Sequence, residues 1–185
     1  MNPRLTVLLV AVLLIFGGAF LAVRLTGSGE EAKFTPWLYR IDDQSIVHVE
    51  VTYGGQTVNY AREPGTGDWY IDKEPKVPVL QEKWGGTPLL LSGPKVSRAL
   101  AEKIENPASY GLEPPLTRVR VTDVGGTTLE FHLGKATPDT KNQYARLAGH
   151  PALFAVPAEW ANVVNRLATE PPYPPGEAEN APGAG

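Results

Sequence analysis

One apolar stretch near the start of the chain limits what the rest can be. Between Leu5 and Leu25 only Thr6 and Arg24 interrupt it, so Val7–Val23 runs without a charge or a strongly polar group. As a helix, residues 5–25 reach roughly 30 Å, the hydrocarbon thickness of a bilayer. Inside lipid the backbone is satisfied only by a helix or a closed barrel, so a transmembrane helix is the expected form. The short basic start, Met1-Asn2-Pro3-Arg4, also suits a cleavable signal peptide, and Gly17-Gly18-Ala19 offers small residues for cleavage. That trio lies inside the run, and the run is longer than most signal-peptide cores, which favours an uncleaved anchor. A buried core helix is the third reading.

An anchor at the extreme N-terminus followed by a folded body fits residues 1–4 inside and the chain beyond about residue 26 exported, although the flanking Arg4 and Arg24 nearly balance. The exported part carries a net charge of about −5, which argues against a nucleic-acid or anionic-membrane surface. With no cysteine, disulfides, thiol nucleophiles, thiolate metal sites and a lipid-modified N-terminal Cys are all excluded.

Residues 26–36, beginning TGSGEEAK, form a small polar linker by composition. The folded domain is expected over residues 37–170. PPYPPGEAENAPGAG, residues 171–185, has one aromatic and is otherwise mostly Pro, Gly, Ala and acids, so it is expected to be a disordered tail.

Within the domain, two segments share a grammar. In SIVHVEVTYGGQTVNYAR, Val47, Val49 and Val51 alternate with His48, Glu50 and Thr52, and Gly54-Gly55 sits where a hairpin turn needs positive φ. In TRVRVTDVGGTTLEFHLG, Val119 and Val121 alternate with Arg118 and Arg120, and Gly125-Gly126 precedes Leu129, Phe131 and Leu133. DWYID follows the first hairpin as a short strand; NQYARLAG and ALFAVP follow the second. Val96, Leu100 and Ile104 predict a helix opened by Ser92 and ended by Asn106-Pro107. Trp160, Val163, Val164 and Leu167 predict a second helix from Pro157. The two units lie about 70 residues apart, which suggests a duplicated hairpin, strand and helix. The expected fold class is α+β: a mostly antiparallel sheet with two covering helices, behind the transmembrane helix.

The segment between the halves, NPASYGLEPPLTRVRV, is rich in backbone constraints. Pro107 stops a helix, Gly111 can take the left-handed conformation that reverses the chain, and Pro114-Pro115 hold an extended lead into the strand. Tyr110 and Leu112 would pin this turn to the core.

Tyr110-Gly111-Leu112 with Pro114, then a strand, a glycine turn and Leu133-Gly134, resembles the bacterial family known as domain of unknown function 4340, or DUF4340. Trp69 and Pro75 upstream, and Tyr144 and Val156 downstream, extend the resemblance over residues 41–167. The resemblance implies an extracytoplasmic domain behind an N-terminal anchor in the bacterial cytoplasmic membrane. Some members occur with auxiliary components of ABC transporters of the gliding-motility type. The stretch Trp84–Leu91 and the presence of a single such domain depart from the family pattern. The family brings no catalytic residues and no cofactor.

Chemical motifs are sparse. Ser92-Gly-Pro-Lys95 has the spacing of an acylating Ser-x-x-Lys pair, but its companions Ser-Asp-Asn and Lys-Thr-Gly are absent, and Ser92 is better read as a helix N-cap. His48, His132 and His150 lack metal-ligand spacing; His48 with Glu50 and His132 with Glu130 would meet only if the halves packed symmetrically. Asp42-Asp43 and TPDTKNQ lack the ligands of a calcium loop and read as turns. Core packing is the default for the tryptophans, with Trp84-Gly85-Gly86 in a Pro-bounded stretch the one set apart. Trp84, Gly85, Gly86, Leu89, Leu90 and Leu91 are therefore the candidate partner-binding residues. The expected function is binding or scaffolding as an accessory subunit of a membrane complex, with a small-ligand sensor or an envelope hydrolase as alternatives and no cofactor.

Overall fold

The computed structural model describes residues 37–177. The expected transmembrane helix, the linker and the tail beyond Glu177 lie outside them, and among the described residues no helix is long and apolar enough to cross a membrane.

Period-two alternation builds the sheet. β1 (Ile46–Tyr53), β2 (Gln56–Arg62), β3 (Trp69–Ile71) and β4 (Val77–Pro78) form a meander, followed by the short helices α1 (Gln81–Trp84) and α2 (Thr87–Ser92). After β5 (Arg98–Ala101), a second meander runs through β6 (Thr117–Asp123), β7 (Thr128–Ala136), β8 (Asn142–Leu147) and β9 (Leu153–Pro157) into α3 (Ala158–Thr169). All pairings are antiparallel, in the order β4-β3-β2-β1-β6-β7-β8-β9-β5. The two meanders therefore join along β1 and β6, each trailing helical structure. Gly54 and Gly55, with φ of 59° and 81°, close the first hairpin.

Val49 and Val51 stand opposite Val121 and Val119, and all four are fully buried. Val47 differs from expectation: an irregularity between Ile46 and His48 gives Ile46 the buried position and leaves Val47 half-exposed. α3 lies over the apolar sheet face and reaches both halves. Thr117 donates its buried hydroxyl to Asn165 Oδ1 at 2.7 Å, and the Tyr60 hydroxyl donates to the Leu167 carbonyl. Trp160 Nε1 donates to the Leu90 carbonyl at 3.1 Å, tying α3 to α2.

The helix expected from Ser92 is a strand. Ser97 N–H donates to the Ala155 carbonyl and Ile104 N–H to that of Pro151, so this segment lines the edge of β9. The free edge offers long-range backbone partners that an amphipathic pattern of three residues cannot outweigh. Helical structure lies one segment earlier, and Ser92 ends α2 with its hydroxyl on the Leu89 carbonyl. Two residues of the expected tail pack against the domain. Pro172 and Tyr173 are buried, Leu80 N–H donates to the Pro172 carbonyl, and Lys73 Nζ sits 4.6 Å from the Tyr173 ring centre.

The segment between the halves crosses the opposite sheet face. Pro107–Tyr110 is a 3-10 turn, Gly111 has φ of 70°, and Leu112 is fully buried. Pro114 and Pro115 sit in a tight turn, bridged from Leu112 to Pro115, where an extended lead was expected. The Tyr110 carbonyl rests on Gly134, where a Cβ would collide with it. That contact explains why a glycine follows Leu133. Gly134→Ala is expected to destabilise the domain by roughly 1–3 kcal/mol through forced separation of these backbones. Gly111→Val is expected to cost about 1–2 kcal/mol or more for its left-handed conformation. Urea denaturation followed by tryptophan fluorescence measures both; an unchanged midpoint would contradict the docking of this turn.

Candidate functional site

Antiparallel pairing fixes which polar side chains become neighbours on the face opposite α3. Glu50 on β1 faces Arg120 on β6, which faces Glu130 on β7; one row away, Arg118 faces His132, which faces Arg146 on β8. Arg120 Nε donates to Glu130 Oε2 at 2.8 Å and Nη1 to Glu50 Oε1 at 3.3 Å, while Arg118 Nε lies 3.4 Å from Glu130 Oε1. His132 Nε2 is 2.6 Å from Glu130 Oε1. Arg146 Nε donates to His132 Nδ1 at 3.1 Å, and Arg146 Nη2 to the Leu112 carbonyl at 3.1 Å. A continuous chain of polar contacts thus runs from the first meander to the segment between the halves.

The geometry sets the protons. A guanidinium only donates, so His132 Nδ1 must accept, and Nε2 carries the hydrogen given to Glu130. Burial pushes the His132 imidazolium down; the Glu130 hydrogen bond opposes this, and the Arg146 and Arg118 charges reinforce it, leaving the pKa below the ordinary histidine value. For Glu130, burial raises the carboxyl, but hydrogen bonds from Arg120 and His132 and their charges outweigh it and hold it below the usual range. The hydrogen bond that Arg120 donates to Glu130 also raises Arg120.

This face is open on one side and covered on the other. Leu112 and Gly134 are buried where the inter-half turn lies across β7, and His132 keeps only 7% of its surface. Tyr110 packs edge-on against Tyr144 with ring centres 4.9 Å apart. Both are half-exposed, whereas the sequence pointed to Tyr110 as a core pin. Toward β1 and β6 no described residue covers Arg118 and Arg120, whose side chains remain 43% and 46% exposed.

The other candidates separate. Trp84 is 2% exposed, between Tyr60 and Trp69 at ring-centre distances of 4.5 and 5.0 Å, and Leu91 is fully buried. Neither is an exposed docking residue; the Trp84 ring packs under β2 and β3, and Leu91 lies in the core with its carbonyl accepting from the Tyr39 hydroxyl. Leu90 is half-buried, Gly85 and Gly86 form the exposed turn between α1 and α2, and Leu89 is 66% exposed. Pro107, Tyr110, Gly111, Leu112, Pro114 and Pro115 act together as the crossing turn already described. Lys95 lies over the Trp37 ring at 5.2 Å, and Ser92 is committed to its own helix, so the Ser-x-x-Lys spacing builds no pair.

His48 stands in the row of Thr122 and Thr128 and His132 in that of Thr52 and Arg118, so the histidines do not meet; Glu50 and Glu130 do, on Arg120. Among the described residues no group of three or more His, Cys, Asp or Glu side chains is placed to hold a metal. Asp42 caps a 3-10 turn, and Asp139 accepts from Thr137 and Lys141, as turn readings of those segments expect. Alternation identified Arg118, Arg120 and Glu130 as outward-facing, but Arg146 carried no signal of its own because its role depends on strand register and the crossing turn.

The family model described as Domain of unknown function (DUF4340) matches residues 69–170, from the first residue of β3 to just past α3. The β1–β2 hairpin precedes the match. No curated protein and no solved structure matches the chain.

A lowered His132 pKa has a direct consequence. Below the ordinary histidine value, about 6.5, the unfolded chain binds a proton that the folded chain resists. His132 is thus expected to favour the fold fully above that value and to withdraw support as pH falls through its lower folded pKa. Urea midpoints should fall between pH 7 and 5, and the fall should be shallower in His132→Gln. A parallel pH dependence in the two proteins would contradict a neutral His132.

Proposed function

The chain belongs to the DUF4340 family, whose match covers more than half of it, and on that premise we propose a single-pass, membrane-anchored extracytoplasmic binding domain. It acts as an accessory subunit of a bacterial membrane or envelope complex, with a membrane protein as partner; ABC-transporter components are the partners the family suggests. The Leu5–Leu25 run serves as the anchor, with the N-terminus inside and the domain outside. Tethering keeps the domain at high local concentration near other membrane proteins.

The observation that carries this reading is the open part of the charged sheet face. Arg118 and Arg120 are exposed beside Glu50 and Glu130, on a face whose other part is covered by the chain's own turn. Exposed ion pairs contribute only about 0–1 kcal/mol to stability, so the fold does not account for this concentration of charge. Charge arranged in a fixed pattern on a rigid sheet selects and orients a partner. The arrangement fits glycoside hydrolysis poorly, since Glu130 is held ionised and both carboxylates are engaged by arginine, whereas that chemistry needs one carboxylic acid with a raised pKa.

Crosslinking in native membranes, purification of the full-length protein in mild detergent and mass spectrometry test the proposal. A stoichiometric membrane protein is expected with the natural sequence and is expected to be lost from Arg118→Glu/Arg120→Glu. Recovery of the protein alone, or retention of the partner by the double variant, would overturn the reading. Trp84→Ala is expected to act differently, lowering stability by roughly 3–5 kcal/mol as a buried aromatic.

A further inference from the structure

The helices of the two halves leave a cleft of about 260 Å³ between them. One wall comes from Val163, Arg166, Leu167 and Glu170, successive positions along one side of α3 and just beyond it; Lys83 of α1 and Thr87 of α2 face them. The cleft is closed at one end by the chain after α3, held by Leu80 N–H on the Pro172 carbonyl. Its walls are therefore fixed by backbone bonds and by the two helical layers.

The polar groups in this cleft are left unused by the fold. Lys83 and Arg166 are exposed, and neither has an acidic partner within salt-bridge distance among the described residues. Thr87 is only 5% exposed, yet its hydroxyl makes no hydrogen bond to another described residue and its side chain lines the cleft. That hydroxyl is therefore free to donate into the cleft that Lys83 and Arg166 also line, and together the three offer an acceptor a neutral donor and two charged ones. Glu170 on the same wall leaves the cleft with one net positive charge and supplies an acceptor of its own.

We propose that this inter-half cleft binds a small hydroxylated oxyanion: Lys83, Arg166 and Thr87 hold its phosphate or carboxylate group, and Glu170 accepts from a hydroxyl. The guanidinium supplies a paired donor set for the oxyanion, the ammonium a second charge and the threonine a neutral donor. Val163 and Leu167 cover the ligand's carbon skeleton. The volume suits a ligand of a few heavy atoms. This inference does not depend on the partner-binding role of the charged sheet face, because the two surfaces share no residue.

The same phosphate chemistry occurs in a soluble ester and in a lipid headgroup, so the test has two arms, both using the full chain in phosphatidylcholine nanodiscs. In the first, sn-glycerol 3-phosphate is titrated calorimetrically. In the second, phosphatidylglycerol replaces part of the nanodisc lipid and the quenching of tryptophan fluorescence by a headgroup-labelled analogue is followed. Saturable binding in either arm is expected, weakened about tenfold by Lys83→Gln or Arg166→Gln and also reduced by Thr87→Val. Saturation in the first arm identifies a soluble ligand, and saturation in the second alone identifies the headgroup. Glu170→Gln separates the proposed hydroxyl contact from simple charge attraction: it should weaken glycerol 3-phosphate while leaving or strengthening inorganic phosphate. Lys83, Arg166 and Glu170 are exposed, so these variants are expected to fold. Absence of saturable binding in both arms, or binding indifferent to Lys83→Gln and Arg166→Gln, overturns the site.

Discussion

Everything in the domain hangs on the antiparallel pairing of β1 with β6. Opposing Val49 to Val121 and Val51 to Val119 sets four fully buried side chains on one face. Because side chains alternate, the same register sends Glu50, Arg118 and Arg120 to the other face. A slip of one residue would exchange the two sets, burying arginine and exposing valine, so the hydrophobic side enforces the charged side. The sheet that results has no central gap, and each meander extends it outward with opposite strand order.

Covering that sheet requires the halves to share material. α3 follows the second meander but accepts the Tyr60 hydroxyl of the first, and α2 accepts the Trp160 indole of α3. These two donors find their acceptors across the boundary between halves, whereas the buried Trp84 Nε1 has no partner among the described residues. Neither half, taken alone, would complete its own polar bonds or cover its own apolar surface. The cleft between α1, α2 and α3 arises from the same arrangement, where helices that arrive from different halves meet without closing over Thr87.

The segment joining the halves serves a second purpose. Gly111 reverses the chain, and Gly134 lets the Tyr110 carbonyl rest against β7, so the turn lies across part of the polar sheet face. By covering His132 it lowers that imidazole's proton affinity, and through the Leu112 carbonyl it positions Arg146. One turn thereby divides the face into a covered, neutral-histidine end and an exposed, arginine-rich end.

Local alternation made both hairpins legible, with their Gly-Gly turns, and the spacing of Trp160, Val163, Val164 and Leu167 made α3 legible, because these features follow from side-chain periodicity and backbone φ within a few residues. The glycine of the Tyr110-Gly111-Leu112 turn was readable for the same reason. The segment after Ser92 was not: its helical spacing of three apolar residues lost to the unpaired edge of β9, which no local pattern reveals. Trp84 looked available for docking until the aromatic pocket of Tyr60 and Trp69 enclosed it, and Tyr173 looked like part of a tail until the first half gave it a surface to cover. The polar chain from Glu50 to Arg146 belongs to the same class. Residue order chose which way each side chain faces; only the pairing of strands distant in sequence chose its neighbours, because hydrogen-bond register and burial are properties of the assembled sheet.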